Sequence, residues 1–330
     1  METGFICRDC PRECGVWRSE KEAGGFCGCP ALPRVVRAAP HYGEEPCISG
    51  TKGSGTIFFS GCNLRCVFCQ NYEISRAPSG RQMDAAALRD LMLRLRDQGV
   101  HNINLVTPTH YSRVIAEALD GLELGIPVVW NSSGYESVET LKRLEGLVQV
   151  YMPDYKYADA EAARKYSNAP DYPAVAAAAI SEMFRQTGPF VMDESGLLRS
   201  GVLIRHLILP GLDENTIPVA AQACPDIPYY LNVKVTEDED FAALAEKAAA
   251  LGAMGVNLDH RDATPGLVEA MHAKGLLVSL WTIEKAEEAP RTIRLGADNI
   301  TTIRPVLLRL LLPRVRFSSG SPACSRMADC

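Results

Sequence analysis

Three cysteines within eight residues carry the first chemical signal. Cys62, Cys66 and Cys69 stand in a C-x3-C-x2-C spacing, directly after the apolar run 56–59 and the break at Ser60-Gly61. The run reads as a buried strand. The spacing lets one tight loop aim three thiolates at a single point. Three are too few to close a structural tetrahedral site, which takes four protein ligands. Three do suit a cubane iron–sulfur cluster with one iron left open, since cysteine thiolates are the usual ligands of such clusters. A second set comes earlier: Cys7, Cys10, Cys14 and Cys27, with Gly24, Gly25 and Gly28 to turn the chain. Four thiolates favour a closed structural site, either zinc or a second cluster. Cys29 is a neighbour that could replace Cys27.

With Phe68 just before its last cysteine, the loop resembles the signature loop of radical S-adenosylmethionine (radical SAM) enzymes. The longer run 66–75, Cys-Val-Phe-Cys-Gln-Asn-Tyr-Glu-Ile-Ser, is similar to that of pyruvate formate-lyase activating enzyme. The resemblance implies a [4Fe-4S] cluster whose open iron chelates S-adenosylmethionine. It also implies reductive cleavage of that cofactor to a 5′-deoxyadenosyl radical, which abstracts hydrogen from a substrate. A zinc loop borrowing a fourth ligand, or three unrelated buried thiols, is the competing reading. Spacing, strand context and flanking residues together favour the cluster.

The elements that must position this loop follow in order. Asp84 caps a helix over 84–98, ended by Gly99, with Leu88, Leu91, Met92 and Leu95 on one face. A strand over 102–106 leads to Thr107 and Thr109, which the resemblance places at the cofactor's amino group. His110 is a site residue or the lead-in to a helix over 112–119 capped by Ser112. The strand 127–130 ends at Asn131 and Ser133, short polar side chains for ribose hydroxyls or for the N-cap of a helix near Ser137. The strand 148–152 leads to Asp154 and Lys156, side chains on one side of an extended chain. Their resemblance to the activating enzyme's Asp-x-Lys implies cofactor contact. After an alanine-rich helix over 172–187, Arg205 lies in the apolar strand 202–209, before Pro210-Gly211. A charge there is costly unless paired, which supports a place at the cofactor's carboxylate or ribose. Strand and helix thus alternate five times, with every candidate residue at a strand's carboxyl end. That is the pattern of a (β/α) barrel with its site on one face.

Beyond about residue 213 the pattern changes. Strands over 227–235, 255–258, 276–282 and 299–302 alternate with helices over 238–251 and from Thr264-Pro265 to Gly275. Residues 220–305 resemble the carboxyl-terminal third of glycerophosphodiester phosphodiesterases, also (β/α) barrels. The catalytic His-Arg-Gly start and Glu-x-Asp pair of that family are absent; His260-Arg261-Asp262 is a different sequence in a late strand context. Trp281 and Asp259 are read as core and loop, or as lining a mouth. The expected architecture is α/β: a partial (β/α) barrel of radical SAM type with a small Cys-rich amino-terminal extension. Extra carboxyl-terminal β/α units extend it, complete it or pack beside it. The division reads 1–50, 51–215, 216–313 and a disordered tail, 314–330. Cys47 is expected as a buried thiol near the cluster, Cys224 as buried, and Cys324 and Cys330 as free thiols.

Composition bounds the function. The 330 residues are 47% hydrophobic with a net charge of -6, enough for a sizeable core and without a footprint for nucleic acid. No apolar stretch reaches a membrane span. Twelve cysteines without a secretion signal read as ligands in a reducing cytoplasm. The expectation is a cytoplasmic oxidoreductase with a reductant such as flavodoxin or ferredoxin and a protein or small-molecule substrate, the glycine of a glycyl radical enzyme among them. A phosphodiesterase-like hydrolase and a non-catalytic iron–sulfur protein are the alternatives.

Overall fold

The computed structural model describes residues 4–76, 79–206, 230–236, 238–283, 285 and 287–302. Cys224, Cys324, Cys330, Pro210-Gly211 and the tail 314–330 lie outside the described residues. The chain divides into two compact units, Met1–Leu207 and Ile208–Cys330.

In the first unit β1 (Gly4–Ile6) and β2 (Trp17–Ser19) make an antiparallel hairpin that carries the first cysteines. The main sheet takes β3 (Arg34–His41), β4 (Ser54–Phe59), β5 (Arg81–Gln82), β6 (Ile103–Val106), β7 (Val128–Ser132), β8 (Val150–Tyr155), β9 (Val191–Met192), β10 (Leu198–Val202) and β11 (Arg205–His206). Its order is β5-β3-β4-β6-β7-β8-β10-β9, with β11 also on β8. β4, β6, β7, β8 and β10 run parallel, while β3 and β5 add an antiparallel edge. Among the described residues the sheet does not close, so this is a partial barrel wall with free ends at β5 and β9. Residues 34–41, read as part of an extension, are instead a strand of this sheet. Of the expected strand 202–209, Val202 ends β10 and Arg205–His206 form β11 after a break, and 207–209 lie outside the described residues.

The helices sit where apolar periodicity put them. α1 (Pro46–Ser49) and α2 (Tyr72–Arg76) are single turns. α3 (Ala85–Asp97) starts where the Asp84 side chain accepts from Ala87 N at 2.8 Å. Its Leu88, Met92 and Leu95 join Ile57, Phe59, Ile103 and Leu105 in one apolar cluster. α4 (Ser112–Leu119) holds Ser112 as its first residue, not as its cap, because Tyr111 occupies the cap position. α5 (Val138–Lys142), α6 (Ala160–Ser167) and α7 (Tyr172–Thr187) follow.

The second unit has its own parallel sheet, β12 (Tyr230–Val233), β13 (Gly255–Asp259), β14 (Leu277–Ile283) and β15 (Asn299–Thr302), in chain order. α8 (Phe241–Ala250), α9 (Pro265–Ala273) and α10 (Ala289–Arg294) connect its strands. Leu244, Val256, Leu258, Leu267, Met271, Val278 and Leu280 form its core. No helix among the described residues is long and apolar enough to cross a membrane.

One carboxyl is buried under the first sheet. Glu136 Oε1 accepts from Thr109 Oγ1 at 2.7 Å and from Trp130 Nε1 at 3.0 Å. Burial pushes its pKa from 4.5 up to about 7.

Two predictions follow from this packing. Met92→Ala removes a fully buried side chain and is expected to cost about 2–5 kcal/mol, read from the urea midpoint at constant slope. Glu136 binds its proton more tightly folded than unfolded, so stability falls as pH rises from about 4.5 to 7, by about 3 kcal/mol in all. Glu136→Gln keeps the accepting oxygen and removes that slope; an unchanged slope in urea titrations across this range would contradict the assignment.

Candidate functional site

Parallel strands end on one edge, and the candidate residues gather there. The thiol loop leaves the end of β4 through Ser60-Gly61. Gly61 has φ 81°, and a side chain there would run into Cys29 Sγ, so only glycine lets the loop pass that thiol. Cys62 and Cys66 are buried and Cys69 is half-buried. Leu64 N and Arg65 N point at Cys62 Sγ, at 3.3 and 3.5 Å. Burial pushes the Cys62 thiol up to about 11, and the Cys66 and Cys69 thiolates push the same way. Among the described residues no group of three or more His, Cys, Asp or Glu side chains is already gathered into a set that could hold a metal ion. The donor set nevertheless fits a thiolate-ligated cluster: three thiols on one short loop, with backbone N–H groups aimed at one sulfur.

The loop docks on the segment that follows β8. Val67 N donates to Tyr166 O at 2.9 Å. The Phe68 ring meets the edges of Tyr157 and Tyr166, each at 6.2 Å between centroids. Phe68 is therefore a wedge between the loop and the segment that carries Tyr157 and Tyr166. Asn63 Nδ2 donates to Tyr135 O at 2.6 Å, tying the loop to the turn after β7. Gly134 closes that turn with φ 74°, where any side chain would meet Asp154 O. Tyr172 OH lies 2.8 Å from Ser133 O and from Asp154 O, and Lys156 N donates to it at 2.8 Å. One buried phenol thus pins the ends of β7 and β8 together.

Beside that pin is a charged network. Arg205 Nε donates to Asp154 Oδ1 at 2.9 Å, and Arg205 Nη2 to Asn131 Oδ1 at 2.7 Å. Lys156 Nζ reaches Asp154 Oδ2 at 2.6 Å. Glu44 and Glu45, carried in ahead of α1, approach Arg205 Nη1 at 3.4 and 3.6 Å. Burial raises the Glu44 pKa, against the pull of Arg205. Asn131, Asp154, Lys156 and Arg205 are thus one site, as the strand-end rule implied. Glu44 and Glu45 were missed, because no spacing in the sequence ties them to Arg205, 161 residues after Glu44.

The remaining candidates divide. Thr107 sits at the end of β6 with φ 58°, an unfavourable angle for a β-branched residue, held by its N–H on Asn131 O at 2.9 Å. Ser133 Oγ is buried without a hydrogen-bond partner among the described residues. Thr109 is buried, and its hydroxyl is committed to Glu136 rather than to an open rim. His110 is buried, with Nε2 at 2.9 Å from Ser60 O, and burial lowers its pKa, which keeps the ring neutral. It supports the base of the thiol loop. Cys47 is half-buried against Ile48, Val129 and Val150, and so is not fully buried. In the second unit Asp259, His260, Arg261, Trp281 and Glu288 line a cavity of about 220 Å³ at the strand ends.

Cys7, Cys10, Cys14 and Cys27 line one small cavity of about 10 Å³ at the tip of the β1–β2 hairpin, and Cys29 is not among its walls. The Cys29 Sγ faces Cys27 O at 3.3 Å and Ser60 O at 3.5 Å.

Residues 56–224 match the radical SAM superfamily, and residues 204–307 match the glycerophosphoryl diester phosphodiesterase family. An uncharacterized protein of Methanocaldococcus jannaschii is 31% identical over 213 residues, 62% of this chain and 57% of that protein. A second from the same organism is 25% identical over 155 residues, 42% of this chain and 46% of that protein. The chain therefore spans about half the length of these relatives. The crystal structure of a glycerophosphodiester phosphodiesterase from Parabacteroides distasonis aligns at 15% identity over 72% of this chain and 92% of that one. Its TM-score of 0.32 is too low to carry a shared fold. The superfamily match takes in just over half the chain, the thiol loop and every strand end of the charged network: the protein belongs to the radical SAM superfamily.

Proposed function

We propose that Cys62, Cys66 and Cys69 hold a [4Fe-4S] cluster and that the chain cleaves S-adenosylmethionine reductively to start hydrogen abstraction from a substrate. The observation that carries this reading is the thiol loop at the end of β4, docked through Phe68 onto the segment where Asp154, Lys156 and Arg205 stand. When bound, the cluster supplies the electron for cleavage and an open iron for the cofactor's amino and carboxylate groups. The protein's own part is binding and orientation. Asp154 and Glu44 suit the cofactor's cationic groups, and Arg205 and Lys156 its carboxylate. Asn131, Ser133 and Thr107 offer hydrogen bonds to the ribose and amino groups, while Thr109 works indirectly by holding Glu136. Burial of Cys62 and Cys66 limits the access of water to the loop.

The electron comes from a flavodoxin- or ferredoxin-like reductant, and the protein works in a reducing cytoplasm. Similarity to the activating enzyme supports a glycyl radical enzyme as the substrate, with a small molecule as the other class. In this reading residues 1–50 carry a second metal on Cys7, Cys10, Cys14 and Cys27, 51–215 the radical core, and 216–313 an appended phosphodiesterase-like segment. That segment's family match supports a second reading, phosphodiester hydrolysis. Against it, Asp259 is paired to Arg261, with Nε at 2.9 Å, instead of standing in a group of acids.

Anaerobic reconstitution with iron and sulfide is expected to give a brown protein that releases 5′-deoxyadenosine from S-adenosylmethionine under dithionite. Cys66→Ala is expected to abolish the release, and full release by that variant would reject the cluster assignment. Glycerol phosphate set free from glycerophosphodiesters would favour hydrolysis; a brown protein that never cleaves the cofactor would favour a non-catalytic role.

A further inference from the structure

The amino-terminal thiols deserve their own reading, because their surroundings are built for one small occupant. Cys7 follows β1 directly, and its N–H is fixed on Val16 O at 2.8 Å across the hairpin. Glu13 N on Cys10 O at 3.0 Å and Gly15 N on Cys7 O at 3.0 Å fold the tip back. Phe26 N points at Cys14 Sγ at 3.3 Å, and Arg18 Nη1 at Cys7 Sγ at 3.3 Å. Such donors are the outer partners that hold thiolates in place around a metal. Arg18 is fully buried, and it also donates to the carbonyls of His110 and Pro30 and lies over the Phe5 and Tyr111 rings. A buried guanidinium facing carbonyls and a sulfur needs negative charge nearby.

We propose that Cys7, Cys10, Cys14 and Cys27 bind a single zinc ion, and that this ion clamps the thiol loop of the radical core. The proposal deepens the second-metal reading above. Four thiolates close a tetrahedral site, and thiolate softness suits zinc. Such a site carries two negative charges, which the Arg18 guanidinium offsets. The four cysteines share the lining of a cavity of about 10 Å³, about one water-sized sphere, with Asp9, Glu13, Arg18 and His110. A volume of that order favours a single ion. Cys27 is placed in the set because it lines the cavity while Cys29 does not; the Cys29 thiol hydrogen-bonds to Cys27 and also faces Ser60 O and Gly61.

The clamp runs through named contacts. Arg12, between Cys10 and Cys14, donates Nε to Asn63 O in the radical loop at 2.9 Å and Nη2 to Ser167 O at 2.8 Å. Its Nη1 also reaches Asn168 O. The guanidinium stacks on Phe26 at 3.8 Å. On the other side Asp9 is buried between Arg113 at 2.8 Å and Arg143 at 2.9 Å, and Thr140 Oγ1 donates to its carbonyl at 2.8 Å. Residues between the thiols thus hold the radical loop, α4 and α5 at once. Ordering them on an ion orders the loop.

The test uses the full chain with Cys62, Cys66 and Cys69 all changed to Ala, purified without oxygen in the presence of iron and zinc. That variant separates this proposal from the radical chemistry, which it abolishes by design. One zinc per chain without acid-labile sulfide is expected, and cobalt exchange should give the intense visible bands of a tetrahedral thiolate site. Iron with matching sulfide, or no bound metal, overturns the proposal. Alkylation mapping before and after chelation supplies a second measurement. Cys7, Cys10, Cys14 and Cys27 should be protected together and released together; protection of Cys29 in place of Cys27 overturns the ligand set. Adding Cys10→Ser and Cys14→Ser should remove the zinc and speed amide exchange over 61–69, while Cys47→Ser should retain the zinc and leave that exchange unchanged. Removal of the ion without any change in exchange there overturns the clamp.

Discussion

Strands that run parallel must all end on the same edge, and the first unit is arranged around that constraint. β4, β6, β7 and β8 pair in parallel register, so their following turns cannot avoid one another. The thiol loop, Thr107, Asn131 and Asp154 arrive at one rim for that reason alone. Arg205 joins because β11 pairs with β8 in parallel at Asp154 itself. Side-chain chemistry then fixes what backbone pairing has assembled. Tyr172 bridges two turns through carbonyls, and Phe68 sets the loop against Tyr157.

Charge is the second demand on this rim. Arg205 is partly buried and faces Asp154, Glu44 and Glu45. Removing one member of such a set leaves a partly buried opposite charge without its partner. Lys156 completes a set with two cations and three acids, while Asn131 spaces them without adding charge. The set is neither a lone surface ion pair nor a sealed bridge. Arg205, Glu45, Asp154 and Lys156 are part-exposed, while Asn131 is buried among them. Thr107 fits the same picture. Its left-handed backbone costs on the order of 1–3 kcal/mol, a cost that persists where neighbouring structure over-determines a residue.

Much of this was legible in the residues. Asp84 and its helix follow from capping and a 3.6-residue apolar period, and α7 begins and ends where the alanine-rich pattern and Gly188 require. The strand-end positions of Asn131, Asp154, Lys156 and Arg205 followed from alternation. Other features were hidden by their physics. β3 pairs only at the antiparallel edge, and its Arg34, Arg37 and His41 masked a strand period. β10 and β11 both pair in parallel with β8, and the break between them at 203–204 is one that local propensity does not encode. Glu44 comes from far upstream to reach Arg205, and Glu136 is buried only because Trp130 and Thr109 converge on it. Long-range pairing leaves no periodic trace.

The second unit shows how far a family match and a site can part. Its four strands are parallel and in chain order, with a self-contained core, as a stretch of β/α units should be. At the strand ends Asp259 has its pKa pulled down to about 2 by Arg261, which donates to it from backbone and guanidinium alike. Trp281 is partly exposed beside them, and His260 Nε2 stands 3.9 Å from Glu288. An acid already paired in this way is held as a structural anion, and a hydrolase would have to break the pair before using it. The radical loop needs no such rearrangement of charge. Cys62 Sγ faces the backbone N–H groups of Leu64 and Arg65, and the loop is docked on the segment that follows β8.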